Sequence, residues 1–173
     1  LISQDRMVKG KQFSDFRDTG RPNSAVRIYS SQDTDELVFL DIKANQSNDE
    51  SHESLISVIR SAAEECFMPL AAGGGIDSLD KVRQLILAGA DKVVINTAAV
   101  LNPDLISQTA KKFGNQCVVA GIDYRSGHDG ARVWIKSGSV ETDLDPVSHA
   151  CALVKLGAGE IFLNSIVVAF IRS

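Results

Sequence analysis

The chain has 173 residues, 44% apolar and 23% charged, which is the profile of one ordinary folded domain and argues against disorder. Lys plus Arg number 18 against 22 for Asp plus Glu, giving a net charge of −4 and a pI near 5.3. With no basic block, neither a nucleic-acid surface nor an anionic-membrane surface is expected. The apolar stretches fall far short of the roughly 20 residues that a membrane span requires.

Cys66, Cys117 and Cys151 form no C-x-x-C pair and no metal-ligand spacing with His52, His128 or His149. Scattered thiols of this kind predict a reduced, cytoplasmic protein, with no metal and no cofactor implied. No signal peptide is evident in the sequence, which begins at Leu1 without a methionine, so an N-terminus missing from this sequence is expected.

Leu37-Val38-Phe39-Leu40 is a continuous apolar run that predicts a strand covered on both faces. Leu55, Ile56, Ile59, Ala62, Ala63 and Cys66 follow at helical spacing. Pro69-Leu70-Ala71-Ala72 then leads into Gly73-Gly74-Gly75, and Asp77 or Ser78 can cap a helix that Gly89 stops. Val93-Val94-Ile95 is the next strand. Asn102-Pro103 predicts a cap with a proline at the first helical position, and Gly114 ends that helix. Val118 to Ile122 is a further strand, followed by a polar excursion and a hairpin around Trp134. Asp145-Pro146 repeats the cap, Gly157 is the stop, and Ile161-Phe162-Leu163 closes the series. Strands alternating with helices predict a parallel sheet.

An internal repeat sharpens this expectation. Residues 85–96 align without gaps on residues 153–164, and a looser copy covers residues 34–41. The copies fall on alternate strands, which favours an α/β fold of the (β/α)8 barrel type. A complete barrel needs about 250 residues. The chain supplies five strands plus a stub at Leu1-Ile2, so a single partial barrel domain over 1–173 is expected, truncated to roughly its first six βα units.

Each expected strand ends in a small or polar residue: Asp41, Gly73 to Gly75, Asn96-Thr97, Asp123 and Asn164-Ser165. Barrel enzymes build their sites at that end, although each such residue can also simply cap a helix or permit a turn. Gly74 and Gly75 before a capped helix let backbone N–H groups approach a phosphate, and Asn96 and Thr97 can add donors. An ordinary tight turn is the alternative. Asp41 and Asp123 are the strand-end carboxylates, a pair able to divide acid and base work. Lys9 can reach over the mouth to an anionic substrate or stay a solvated loop lysine. At the other end Glu36, Lys92 and Glu160 each open an even strand and can form a ring of alternating charge, with plain stability as the alternative reading.

These residues carry a resemblance. Val8-Lys9-Gly10, residues 35–42, Gly73-Gly74-Gly75-Ile76, residues 89–100 and Gly157-Ala158-Gly159-Glu160-Ile161 resemble the cyclase subunit family of imidazole glycerol phosphate synthase, from about Arg6 to Ile166. The resemblance implies a (β/α)8 barrel of histidine biosynthesis that forms a heterodimer with a glutaminase subunit. Ammonia from the partner crosses the barrel interior and attacks a doubly phosphorylated ribulosyl formimino-carboxamide ribonucleotide. A lyase–cyclisation step then gives imidazole glycerol phosphate and an aminoimidazole ribonucleotide. Carried over by position, Asp123 matches a catalytic aspartate, and Lys9 and Asp41 match supporting positions. Gly74, Asn96 and Thr97 match a phosphate site; Gly75 and Ser165, at strand ends of the same mouth, are expected to join them in binding phosphate or substrate. Glu36, Lys92 and Glu160 match the gate for ammonia, and Asp91 the glutaminase docking surface.

Two departures qualify the resemblance. Counted back without a gap, the family's other catalytic aspartate falls on Leu1, and leucine transfers no proton. A paralogous branch carries leucine here and accompanies glutaminase-like proteins in making amidino sugars for bacterial surface polysaccharide. The stretch Asn23 to Ile28 is also similar to that branch. The second departure is 167–173, an atypical tail where the family has an Asp-x-Asp-Gly type loop, which leads to the expectation of a truncated or frame-shifted reading. A non-catalytic protein that docks a glutaminase and channels ammonia is the remaining alternative.

Overall fold

The computed structural model describes the chain except residues 4, 5, 12, 13, 33, 43–48, 129 and 167–173. The expected atypical tail therefore lies outside the described residues.

Two short strands, β1 (Ile2–Ser3) and β2 (Arg6–Lys11), pair antiparallel, and β2 pairs in turn with β3 (Ser14–Gly20). Helix α1 (Pro22–Ser30) follows, with proline in its first turn, where a missing N–H costs nothing. Then comes the alternation: β4 (Leu37–Leu40), α2 (Asp49–Ala63), β5 (Leu70–Gly73), α3 (Leu79–Leu87), β6 (Lys92–Ile95), α4 (Thr97–Leu101) and α5 (Asp104–Phe113). A hairpin of β7 (Val118–Gly127) and β8 (Gly130–Ile135), extended by β9 (Val140–Glu141), leads to α6 (Pro146–Leu156) and β10 (Glu160–Ser165).

Strands β4, β5, β6, β7 and β10 are parallel neighbours in that order. The stub at the N-terminus joins the same sheet, because Ile2 forms a parallel bridge with Asp41 and its carbonyl accepts from Ile42 N at 3.1 Å. Six consecutive strands of a barrel thus stand side by side, an incomplete (β/α)8 architecture as expected.

Alternation along each strand divides the sheet into two faces. Phe39, Leu70, Ala72, Val93, Ile95, Val118, Ala120 and Ile122 face outward into the main core, where α2, α3, α5 and α6 contribute Leu55, Ile59, Val82, Leu85, Leu105, Ile106 and Leu153. Ala71, Val94 and Val119 form a smaller inner cluster with Val38 and Leu40. The sheet is curled around that inner face. Lys92 on β6 reaches both Glu36, just before β4, and Glu160 on β10, although one strand lies between in each direction. Neighbouring strands are about 4.8 Å apart, so only concave curvature lets one ammonium meet both carboxylates.

Local chemistry sets the helix boundaries. The Asp145 carboxylate accepts from Ser148 N at 2.8 Å with Pro146 in the first turn, and Gly157 at φ 110° stops α6. Ser78, not Asp77, caps α3, accepting from Lys81 N at 3.4 Å. The expected cap at Asn102 differs in detail. Pro103 takes the cap position, no side chain caps the helix, and Asn102 contributes only its carbonyl, to Leu105 N.

Candidate active site

At the C-terminal end of the concave face three adjacent strands converge on one carboxylate. Asp123 on β7 shares inner parity with Val119 and Gly121. Asn96, at the end of β6, donates from Nδ2 to Asp123 Oδ2 at 2.9 Å. Asn164 on β10, paired with Asp123 in the sheet register, donates to Oδ1 at 2.7 Å. A Cβ on Gly121 would press within 3.2 Å of Asn96 Cβ, so the absent side chain gives Asn96 its path across.

Asp123 is only 9% exposed. Burial pushes its carboxyl above the usual carboxylate range, and the two amide donors pull it back only in part. A carboxyl desolvated but still hydrogen-bonded is suited to exchanging a proton with a bound reactant.

Asp41 goes elsewhere. By alternation it shares the side of Phe39, and its carboxylate accepts from Ser51 Oγ on α2. The expected pair of carboxylates facing one mouth is thus divided between two faces. Gly74 wraps closely over Asp41 with φ at +116°, where a Cβ would come within 2.8 Å of Asp41 Cβ and 2.9 Å of its amide nitrogen. Glycine is required here on both counts. Gly75 also has positive φ, and its carbonyl accepts from Lys81 Nζ at 3.1 Å. Thr97 Oγ1 accepts from Lys136 N at 3.0 Å, which pins the end of the β8 strand to the start of α4. Lys9 is exposed on β2, directly across from Arg17. Ser165 is exposed and alternates away from Asn164.

At the opposite end of the same face, Lys92 Nζ donates to Glu36 Oε2 at 2.7 Å and to Glu160 Oε1 at 2.6 Å. Its side chain is 17% exposed. Glu160 and Glu36 together hold its ammonium pKa above the ordinary lysine value. A cavity of roughly 180 Å³ opens onto this cluster, walled by Val38, Ala71, Val94, Val119 and Phe162. Asp91, one residue before Lys92, binds reciprocally to Leu70. Its Oδ2 accepts from Leu70 N and its own N donates to Leu70 O, both at 2.8 Å.

Sequence reasoning brought Asp123 and Asn96 to the mouth and the three charged residues to the other end. It did not place Asn164 or Ser51 among the site residues. The signal for Asn164 lay in the internal repeat, which aligns it with Asn96. Ser51 carries no sequence signal, since its role depends on where the first turn of α2 meets Asp41.

A curled parallel sheet with a buried carboxylate at the strand ends and an ion cluster beneath it defines the class as a barrel protein of the (β/α)8 type. The family profile described as "Histidine biosynthesis protein" matches residues 2–168, and the chain belongs to this family. It is similar to "Imidazole glycerol phosphate synthase subunit HisF" from Frankia casuarinae, with 45% identity over 168 residues, 95% of this chain and 65% of that protein. The chain thus spans about two thirds of the length of that relative. Among the described residues, no helix is long and apolar enough to cross a membrane.

Proposed function

We propose that this chain is the ammonia-receiving, cyclase-type part of a glutamine amidotransferase pair acting on a phosphorylated small molecule. Imidazole glycerol phosphate formation in histidine biosynthesis is the reading its relative favours. The observation that carries the proposal is one concave face with two chemically distinct ends. The Glu36–Lys92–Glu160 cluster stands at the entrance, Asp123 at the exit, and small apolar side chains lie between them.

Lys92 and Asn96 are four residues apart on one strand, so the passage is about 13 Å long at 3.3 Å per residue. Its wall of Val38, Ala71, Val94 and Val119 offers no side-chain hydrogen-bonding group. Neutral ammonia can cross such a region, whereas a bare ammonium ion would lose its hydration without compensation. At the exit Asp123 meets the reactants and exchanges a proton as the incoming nitrogen adds. In this reading Gly74, Gly75 and Thr97, at the ends of their strands, hold a phosphate, and Lys9 on β2 supplies a cation. Asp91 beside the entrance belongs to the face on which a glutaminase subunit docks.

Leu1 favours a second reading, the paralogue that supplies ammonia for amidino-sugar synthesis. Its carbonyl accepts from Val8 N at 3.0 Å, and it stands immediately before β1, so an apolar residue occupies the position where the family resemblance calls for an aspartate.

One experiment separates these readings. The protein is combined with a histidine-pathway glutaminase subunit, and product formation is followed with glutamine or with free ammonia as nitrogen source. Cyclase function predicts turnover with both. Stimulated glutamine hydrolysis without turnover would point to the paralogue or to a purely channelling partner. Lys92→Ala should cut glutamine-driven turnover by at least ~10-fold while ammonia-driven turnover stays within a few-fold. Equal loss of both would reduce Lys92 to a stabilising residue.

A further inference from the structure

The hairpin of β7 and β8 carries, on the side that faces the mouth, two cations that the mechanism above does not use. The register sets Asp123 opposite Trp134 and Arg125 opposite Arg132. Directly opposed residues of an antiparallel pair lie on one face, so Trp134, Arg125 and Arg132 stand on the same side as Asp123.

The Arg125 guanidinium lies 3.8 Å from the centroid of the Trp134 ring, and its Nη2 donates to Gly138 O at 2.7 Å. Both side chains are half-buried. No ion pair forms at Arg125 among the described residues, and the nearest carboxylate in sequence, Asp123, is already engaged by Asn96 and Asn164. Arg132 gives an N–H to Ala131 O, and its charge acts on Asp145.

Two like charges directly opposed destabilise a strand pair. The Arg125 Nε–H and the Trp134 indole N–H are moreover withdrawn from solvent with no hydrogen-bond partner among the described residues. Orphaned donors beside an uncompensated guanidinium lack an acceptor. A planar guanidinium already fixed on one edge and one face is preorganised to present its remaining donors as a fork, which matches an oxyanion.

We propose that Arg125, braced by Trp134 and Gly138 and faced by Arg132, binds a phosphate group of the ligand at the mouth. The inference rests on the reading of this mouth as the site of a phosphorylated substrate. It adds a second anion position, on the hairpin side of Asp123 and apart from Gly74 and Gly75.

Trp134 is the single tryptophan of the chain, so its emission reports directly on the stacked guanidinium. Inorganic phosphate is titrated into the protein at constant ionic strength, with potassium chloride as the matched control. A saturable change in emission with phosphate alone is expected. Arg125→Gln should weaken the midpoint by at least about tenfold, and Arg125→Lys by less, because it keeps the charge and loses the fork. Absence of a saturable phosphate response, or an unchanged midpoint in Arg125→Gln, overturns the proposal. Should Arg125→Gln fail to fold, Arg125→Lys decides by the same criterion. Asp123→Asn should keep the phosphate response while turnover is lost, so failure of this inference and failure of the proposed reaction are read separately.

Discussion

Replacing Gly74 by alanine tests whether the close wrap over Asp41 holds the mouth together. Two costs add at this position. The backbone sits at φ +116°, a region costing an L-residue about 1–3 kcal/mol. The new methyl must also displace the Asp41 backbone and Cβ, now 2.8–2.9 Å from where it would lie, and overpacking of this kind costs about 1–3 kcal/mol. The sum is about 4 kcal/mol, and at 2–4 °C per kcal/mol for a chain of this size the thermal midpoint should fall by about 8–16 °C. Gly20→Ala is the internal control. Its φ is +121°, yet nothing lies within 4 Å of the added methyl, so only the backbone cost of about 2 kcal/mol remains. Thermal unfolding followed by circular dichroism measures both variants. Equal drops in the two would refute the close-approach argument and leave only backbone conformation.

Asp123→Asn should lower ammonia-dependent turnover by at least ~10²-fold with the fold intact, measured by steady-state kinetics and circular dichroism; turnover within a few-fold of wild type would remove Asp123 from the chemistry. Burial holds the His149 imidazole below its ordinary pKa, and its Nε2 has no hydrogen-bond partner among the described residues. The unfolded chain therefore binds that proton more readily than the folded one, so stability is retained above the ordinary histidine value of ~6.5 and lost as pH falls below it. The thermal midpoint should drop on acidification through that region, and His149→Leu should flatten the slope; parallel slopes would rule the residue out as the cause. Asp145→Ala removes the side-chain cap of α6 and should cost about 1 kcal/mol in urea unfolding, whereas Asn102→Ala, which removes no side-chain cap, should cost less.

What could be read in the sequence was what burial writes into it. β4, β5, β6, β7 and β10 are covered by helices and show as apolar runs, and even the stub at Ile2 was legible because it is completely buried. The β2–β3 hairpin was not anticipated as strands. It pairs mainly with itself and β1, and its sequences Arg6–Lys11 and Ser14–Gly20 are largely polar, so neither reads as an apolar run. Helix α1 escaped for a similar reason: it buries only Pro22, Ala25 and Val26 and exposes Ile28 and Tyr29, which blurs the 3.6-residue period. At the site, strand ends pointed to the right neighbourhood. Parity decided the rest, since one step along a strand turned Asp41 toward α2 while Asp123 stayed on the concave face. Residues that act across strands, such as Arg125 on Trp134, become visible only once the register is known.

The two amides that hold Asp123 occupy equivalent places in the internal repeat, 68 residues apart, one on each flank of the carboxylate (164 − 96 = 68). Such a cradle is fault-tolerant in a way a single donor is not. If either asparagine drifts to another residue, the other still meets the buried oxygen on its side, and the charge is weakened without being abandoned. Duplication of a βα pair therefore supplies the functional group with a spare support, leaving one flank free to explore new side chains while the other keeps the acid in place.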